Sequence, residues 1–251
     1  EEDSGKVIEI DTGIGKVVLP GDMLKNEAQQ DTGSITLNFG SVKKEDLESY
    51  SNIDAETKEK MGDRPVIEIS LRENGKTKFW ENNKAPVAIS IPYTPKPGED
   101  FEHIVVWYID GEGNPIPVPN GRYNPEKGTV EFNVTHFSIY AVAYIEKTFN
   151  DLNDYTWAKH SIEILASKGI INGTGGNNFS PGVKITRADF LTLLVRTLEI
   201  EEDFESSFVD VYLSDYYYNA VGTARALGIT RGAGDNMFKP QEYISRQDMM
   251  V

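Results

Sequence analysis

Two short stretches of the sequence, residues 185–190 and 244–249, carry an arginine in the same local pattern. Each runs apolar, hydroxyl, Arg, any residue, Asp, apolar, so the arginine recurs as Arg187 and Arg246. The hydroxyl and the aspartate are typical of a helix N-terminus, where Ser or Thr precedes an acidic residue by three positions. The arginine needs another explanation, because a cation in the first turn opposes the helix dipole. A binding role and a structural salt bridge to a neighbouring repeat are both compatible with the residues.

The two stretches belong to a longer internal repeat with an offset of 59 residues. The copy that starts at Phe149 aligns with the copy that starts at Phe208 over 44 positions without a gap, and 12 of these positions are identical. Self-similarity at a fixed period indicates repeated supersecondary units.

Each copy is predicted to form a helix, a loop and a second helix. In the first copy, apolar residues at i, i+4 and i+7 predict a helix over residues 157–168, and Gly169 stands where a C-terminal cap is expected. A second helix is predicted from near Thr186 towards Leu198. The second copy stops at Val251, inside its expected second helix, and we therefore expect a truncated repeat in a natural protein that continues.

The region before the repeats is predicted to be rich in β-strands. Eight runs of strand length, rich in Val, Ile and Tyr, alternate with turn signals, and one polar interruption at residues 43–62 predicts a short helix. Many short strands favour a sandwich-like module. The predicted architecture is multi-domain: an all-β sandwich-like module over residues 1–146, followed by all-α helix–loop–helix repeats over residues 147–204 and 205–251.

Composition argues against several classes of function. The 251 residues include no cysteine, which removes disulfides, thiol catalysis and zinc–cysteine sites. A net charge of −15 argues against a nucleic-acid partner, which requires a basic face. No apolar run approaches the roughly 20 residues that span a bilayer, so no membrane span is expected. The three histidines lack metal-ligand spacing and no transferable catalytic motif is found, so we expect no enzymatic activity.

The acidic stretch at residues 110–114 superficially resembles a calcium loop. It lacks the later glutamate of such loops, and its position between two strand-like runs predicts a hairpin turn instead. Asp110-Gly111 and Gly113 are expected to supply a positive φ, and Pro115 is expected to stop the strand ladder. We therefore expect no cofactor, and calcium has no clear motif in its support.

The ordered motifs of the repeats resemble the S-layer homology (SLH) domain of bacterial surface proteins. The first copy carries Phe-x-Asp, an aromatic residue opening a helix, Gly-Ile, a glycine-rich loop with Phe-x-Pro, and Ile-Thr-Arg-Ala-Asp-Phe. The second copy departs from this pattern at Tyr216, Ser245 and Gln247, where the first copy has tryptophan, threonine and alanine. The resemblance covers the repeats and leaves the β-rich region aside.

This resemblance implies a non-catalytic anchoring function outside the cell, in the cell wall or S-layer. SLH domains typically occur in threes, and grooves between adjacent repeats hold secondary cell-wall polymers, often with pyruvylated sugars. The family's binding groups would be arginines for a carboxylate, aromatic residues for a sugar ring, and a helix cap and loop glycines that expose the backbone. On this sequence they correspond to Arg187, Arg246, Trp157, Tyr216, Gly173, Gly175, Gly232, Gly234 and Thr186.

Structural roles stay open for some of these positions. Trp157 could equally be a core residue, and the glycines could serve turn geometry alone. Three phenylalanines of the repeats are expected to lie in the core: Phe149, Phe179 and Phe238.

Three functions are compatible with the sequence. In the first, the repeats bind peptidoglycan-linked polysaccharide and the β-module acts as a stalk. In the second, the chain is the C-terminal anchoring fragment of a larger surface enzyme such as a glycoside hydrolase. In the third, the β-module serves protein–protein assembly through lateral S-layer contacts, and it weakly resembles the β-rich modules that precede SLH repeats in clostridial and bacillar surface proteins.

Overall fold

The computed structural model describes residues 6–24 and 34–250, and the chain divides into two compact units. The first unit comprises Glu1–Lys147 together with Ser167–Gly169. The second unit comprises Thr148–Ala166 and Ile170–Val251. Val251 lies outside the described residues, as do residues 1–5 and 25–33.

The first unit contains two antiparallel β-sheets. One sheet has the spatial order β1 (Val7–Thr12), β2 (Gly15–Pro20), β6 (Val87–Pro92), β10 (Thr129–Val134), β9 (Arg122–Asn124). The other has the order β3 (Ile35–Ser41), β4 (Val66–Glu73), β11 (Ile139–Tyr144), β7 (Ile104–Ile109), β8 (Pro115–Val118), and β5 (Lys76–Lys78) pairs with β4. Short helical segments accompany them: α1 (Ala55–Met61) and two 3₁₀ turns, Lys44–Ser49 and Phe101–His103.

The two sheets share one hydrophobic core. Successive side chains of a strand point to opposite faces, so an alternating sequence buries every second residue. In β2, Val17 and Leu19 are buried while Lys16 and Val18 face outwards. One buried cluster combines residues of both sheets, among them Val17, Ile89, Ile67, Ile69 and Val106. The prediction of a β-rich N-terminal region is therefore confirmed.

All eight predicted strands are present, and three short strands escaped prediction. These three, β5, β8 and β9, have only three or four residues each, too few for a clear alternation. The expectation that Pro115 stops the ladder is wrong, because Pro115 begins β8 and pairs with Ile109 of β7. Proline is tolerated there because it is the first residue of a strand at the edge of the sheet.

The turn between β7 and β8 has the geometry of an ordinary polar turn. Gly113 has a φ of 93°, as expected, whereas the prediction is wrong for Asp110-Gly111, neither of which has a positive φ. The Asp110 carboxylate accepts hydrogen bonds from the backbone N–H groups of Glu112 and Asn114 at 2.9 and 2.8 Å, and from the Asn114 side-chain amide at 2.8 Å. Its oxygens therefore serve the turn itself.

The described part of the second unit contains four α-helices, a short 3₁₀ turn (Asn153–Tyr155) and long connecting loops. The helices are α2 (Thr156–Ser167), α3 (Arg187–Leu198), α4 (Tyr218–Ala226) and α5 (Arg246–Met249). The predicted helices at 157–168 and from 186 towards 198 agree with α2 and α3 to within one residue. The all-α description of the repeats is not confirmed, because the loops between these few helices take up much of each repeat. In the described part of the chain, no helix has both the length and the apolar character needed to cross a membrane.

Helix α3 joins the hydrophobic cores of the two repeats. Leu193 packs in the cluster of the first repeat, whereas Ala188 and Leu191 belong to the cluster of the second. The three phenylalanines predicted for the core lie there: Phe238 is 2% exposed, and Phe149 and Phe179 pack against the first cluster. Leu198, by contrast, lies on the exposed side of α3.

A buried ion pair joins two loops of the first unit. The Arg64 guanidinium contacts the Glu99 carboxylate, and both side chains are more than nine-tenths buried. Glu99 also accepts hydrogen bonds from the Tyr93 hydroxyl at 2.7 Å and from the Lys96 backbone N–H at 2.9 Å. Although desolvation opposes ionisation, these donors and Arg64 hold the pKa of Glu99 below its usual value.

Arg64→Met is expected to lower the free energy of unfolding of the first unit by about 3–5 kcal/mol, because it leaves the Glu99 carboxylate buried without its cation. Urea unfolding followed by tryptophan fluorescence reports on this unit, since it contains Trp80 and Trp107. Arg72→Met on the exposed side of β4 is the matched control, with an expected change within about 0.5 kcal/mol. Equal stabilities of the two variants would contradict a structural role for the ion pair.

Candidate functional site

Both repeated arginines begin a helix behind a hydroxyl cap. The Thr186 hydroxyl accepts a hydrogen bond from the Asp189 backbone N–H at 3.1 Å and donates to the Asp189 carboxylate at 2.6 Å. Ser245 and Asp248 form a complete capping box at the start of α5. The prediction that these hydroxyl and aspartate residues initiate helices is confirmed.

Residues 185–188, which lead into and begin α3, pair with residues 240–244 at the end of the second repeat's loop. This pairing forms the junction between the repeats, and it brings residues that are about 55 positions apart into backbone contact. Three backbone hydrogen bonds and one antiparallel bridge hold it: Ile244 N–H to Ile185 O at 3.2 Å, Arg187 N–H to Glu242 O at 2.8 Å, Ala188 N–H to Pro240 O at 3.1 Å, and the Thr186–Tyr243 bridge.

Arg187 reaches across this junction. Its Nε donates a hydrogen bond to the Phe238 carbonyl oxygen at 2.9 Å, and its guanidinium carbon lies 5.1 Å from the centroid of the Phe238 ring. Among the described residues, no carboxylate forms an ion pair with Arg187, and no hydrogen bond engages its two Nη groups. The bond to the Phe238 backbone carbonyl fixes one edge of the guanidinium. Hydrogen bonds with Ser245, and also the Arg187 charge, lower the pKa of Asp248, a carboxylate of the second repeat.

Tyr216 and Thr186 meet at Asp189. The Tyr216 hydroxyl donates a hydrogen bond to one carboxylate oxygen of Asp189, and the Thr186 hydroxyl donates to the other. Desolvation of the hydroxyl and its bond to Asp189 raise the pKa of Tyr216 to about 12, so it remains a donor at neutral pH. Desolvation opposes ionisation of Asp189, but the two hydroxyl donors hold its pKa below the usual value. The Tyr216 ring itself is 68% exposed.

An aspartate in each repeat holds the glycine-rich loop in place. Asp151 accepts hydrogen bonds from the backbone N–H groups of Phe179 and Ser180 at 2.9 and 2.7 Å. Asp210 accepts the equivalent bonds from Phe238 and Lys239 at 2.8 and 2.7 Å. The recurrence of Phe-x-Asp in both repeats is the sequence signal of this role, but the backbone partners lie 28 and 29 residues away in the chain.

The loop glycines fall into two structural classes. A side chain at Gly173 or Gly232 would clash, since a Cβ there would lie 2.6 Å or less from a backbone oxygen and 2.8 Å or less from a phenylalanine ring. Gly175 and Gly234 have φ angles of 108° and 97°, and a Cβ at either would have nothing within 4 Å. Turn geometry and close packing therefore account for these positions, and the backbone at Gly175 and Gly234 is open.

The structure connects two of the expected binding residues through one carboxylate and leaves the others apart. The Thr186 and Tyr216 hydroxyls meet at Asp189. Arg187 contacts Phe238, with no contact to Tyr216 among the described residues, and Gly232 and Gly234 lie in the loop that ends at Phe238. No described contact links Trp157 or Arg246 to this cluster. Trp157 is 84% exposed on α2, so its core alternative is wrong, and Arg246 is exposed at the start of α5. Gly173 and Gly175 lie in the corresponding loop of the first repeat.

Arg187→Met is expected to destabilise the junction by about 1.5–3 kcal/mol, because it removes a charge-assisted hydrogen bond and a cation–π contact. Hydrogen exchange of the Arg187 and Ala188 amides, which bond to the second repeat, measures the effect. The internal repeat supplies a matched control: Arg246→Met, at the exposed equivalent position, is expected to change the same amides by less than about 0.5 kcal/mol. Equal effects would show that Arg187 does not hold the junction.

Asp151→Asn is expected to destabilise the second unit near neutral pH and to have less effect in acid. The Phe179 and Ser180 N–H groups depress the pKa of Asp151 in the folded chain. The carboxylate therefore stabilises the fold above its unfolded pKa of about 3.9, and this contribution is lost as pH falls through the lower folded value.

Thermal unfolding followed by far-UV circular dichroism at about pH 7 and about pH 3 tests this dependence. Asp154→Asn, an exposed carboxylate in the 3₁₀ turn that follows Asp151, is the control and is expected to leave the transition unchanged at both pH values. A constant deficit of Asp151→Asn at the two pH values would contradict the assignment.

Comparison with known proteins places the repeats in a family. Residues 148–191 and 207–250 match the S-layer homology domain. The chain is 32% identical over 201 residues to an amylopullulanase of Thermoanaerobacterium thermosulfurigenes, covering 73% of this chain and 11% of that protein. It is 40% identical over 103 residues to exoglucanase XynX of Acetivibrio thermocellus (41% and 9%), and 33% identical over 110 residues to S-layer protein sap of Bacillus anthracis (43% and 13%).

These similarities differ in their extent. The chain spans about a tenth of the length of each of these relatives. The alignment with the amylopullulanase covers 73% of this chain, which is more than the part of the chain that the two repeats occupy. The similarity to that protein therefore extends into the first unit. Together the matches indicate a location at the cell surface, in the cell wall.

Proposed function

Because the chain carries two S-layer homology domains, we propose that its repeats anchor it to an anionic secondary polysaccharide of the cell wall. The junction between the repeats is the proposed binding site. The chain itself acts in this proposal as a non-catalytic binding protein, with the first unit as a stalk or assembly module.

The observation that carries this proposal is the state of the Arg187 guanidinium. Its Nε edge is bound to Phe238, whereas its Nη groups are without a hydrogen bond among the described residues. Two parallel N–H donors on a fixed plane match the geometry of a carboxylate, and a bidentate pair of this kind is stronger than a neutral hydrogen bond. A ketal-linked pyruvate on a sugar would supply such a carboxylate.

The neighbouring groups suit the sugar that carries this carboxylate. Tyr216 is an exposed aromatic residue of the second repeat that contacts Asp189 of α3, and an aromatic face packs well against the C–H groups of a sugar ring. The open backbone at Gly234 would let a ligand approach the loop closely. The Asp189 oxygens already accept the Thr186 and Tyr216 hydroxyls. The pKa of Asp248 is lowered by its hydrogen bonds with Ser245 and by the Arg187 charge, so the ligand carboxylate would compete with Asp248 for the guanidinium.

The acidic composition is compatible with an anionic ligand. A net charge of −15 repels a polyanion at long range, but salt at physiological strength screens exposed charges beyond about 8 Å. Binding then depends on the local donors of the junction.

A second candidate function is that of an anchoring segment within a larger surface enzyme. It is supported by similarity to an amylopullulanase and an exoglucanase, of which this chain covers about a tenth. In that case the same junction binds the wall, and catalysis belongs to other parts of the longer protein. In both candidate functions, Arg187 binds the carboxylate of the wall polymer.

Sedimentation of the chain with purified Gram-positive cell wall, before and after extraction of the secondary polymer, tests the proposal. Binding is expected to disappear on extraction. Arg187→Ala and Tyr216→Ala are each expected to weaken binding at least about tenfold, because they remove the proposed anion contact and the sugar-facing ring. Tyr212→Ala, an exposed tyrosine outside the junction, is expected to bind like the wild type.

Two further variants separate binding from folding. Tyr216→Phe keeps the ring and loses the bond to Asp189, so it is expected to retain most of the wall binding. Arg187→Lys keeps the charge and loses the bidentate donor geometry, and we expect it to bind weakly. Retention of full binding by Arg187→Ala, or binding that survives extraction, would refute the proposed site.

A further inference from the structure

The outward face of the five-stranded sheet in the first unit carries a polar groove. Its volume is about 470 Å³, which is within the range of about 300–1,000 Å³ that small-molecule sites occupy. It lies in the unit without the repeats and is separate from the junction described above. Its lining comes mostly from strands β2, β6, β9 and β10 and the loops beside β9.

Strand register places one row of polar residues across the whole sheet. The cross-strand partners in sequence are Asp11, Lys16, Ser90, Glu131 and Arg122, one from each of the five strands. Directly paired residues on one face of an antiparallel sheet have Cβ atoms about 5 Å apart. Long charged side chains thus stand on both sides of the short Ser90 side chain.

The floor of the groove is made of small residues. Val18 and Ala88 are cross-strand partners and lie beside the polar row on the same face. Their short side chains leave the space that the longer residues enclose. A sheet face of this kind has room for a flat ligand.

One wall of the groove is held rigidly to the sheet. The Asn120 side-chain oxygen accepts a hydrogen bond from the Asn133 N–H at 2.7 Å, and its amide nitrogen donates to the Asn133 carbonyl at 3.1 Å. This pair of hydrogen bonds between the Asn120 side-chain amide and the Asn133 backbone holds the loop before β9 against β10. The Asn133 side chain, in contrast, is exposed at the groove.

The groove is cationic in a strongly acidic chain. Three of its lining side chains are cations, Lys16, Arg122 and Lys127, and one is a carboxylate, Glu131. Lys127 pairs with Glu131 at 2.8 Å, and Lys16 pairs with Glu9 at 2.5 Å. No ion pair or hydrogen bond in the described part of the chain engages the Arg122 guanidinium. The hydrogen bond from Lys127 and the charge of Arg122 both lower the pKa of Glu131, the cross-strand neighbour of Arg122, so that carboxylate partly compensates Arg122, while the N–H groups of Arg122 make no hydrogen bond among the described residues.

We propose that this groove binds an anionic saccharide unit whose carboxylate or phosphate contacts Arg122. A guanidinium binds either group through two parallel hydrogen bonds. The hydroxyl of Ser90 and the amide of Asn133 are placed to bind sugar hydroxyls, and the ammonium groups of Lys16 and Lys127 add donors at the rim. The first unit then contributes a glycan contact of its own, independent of the repeats.

A titration of the whole chain followed by amide NMR shifts tests this inference. The probes are galacturonic acid, glucose 6-phosphate, glucose and inorganic phosphate. Shifts of the Ser90, Glu131 and Asn133 amides are expected with at least one anionic sugar, and that sugar identifies whether carboxylate or phosphate is preferred. Glucose and inorganic phosphate are each expected to bind at least about tenfold more weakly.

Arg122→Gln is expected to weaken binding of the preferred sugar at least about tenfold, whereas Arg72→Gln, an exposed arginine on the other sheet, leaves it unchanged. Because Arg122 is exposed, Arg122→Gln is expected to fold normally. Unchanged chemical shifts of the core amides would show this. Arg187→Ala is expected to have no effect on these shifts, so failure here is distinguishable from failure of the wall-binding proposal. The inference is overturned if no sugar shifts these amides, if phosphate alone binds as well, or if Arg122→Gln binds normally.

Discussion

The candidate site depends on the backbone pairing between residues 185–188, at the start of α3, and residues 240–244. It places the first turn of α3 against the loop of the second repeat, so that Arg187 can reach the Phe238 carbonyl. The same contact lets Tyr216 reach Asp189. Without it, the helix cap and the arginine would be features of one repeat, and no junction would exist.

The pairing in turn requires loops of fixed shape. In each repeat an aspartate holds two successive backbone N–H groups, and a glycine admits the phenylalanine that packs beneath the loop. Helix α3 contributes to the hydrophobic clusters of both repeats, which is the expected behaviour of units that bury their apolar surface against a neighbour. Core packing and the site therefore share one element.

The two units present arginine by different means. In the repeats, a bond to a carbonyl fixes one edge of Arg187 and leaves the other edge open. On the sheet, strand register alone sets Arg122 beside Glu131 at the end of a polar row. Both arrangements leave guanidinium N–H groups without a hydrogen bond among the described residues, within a chain of net charge −15, where such positions are set by local contacts and not by overall charge.

Features with local causes could be predicted from the sequence by itself. The repeat, the caps at Thr186 and Ser245, the limits of α2 and α3 and eight strands follow from spacing and alternation among neighbouring residues. Only the tertiary structure decided what Arg187 contacts, that Trp157 is exposed, and that Pro115 begins a strand. These depend on partners distant in the chain, since hydrogen bonding across repeats and pairing at a sheet edge leave no periodic signal in the sequence.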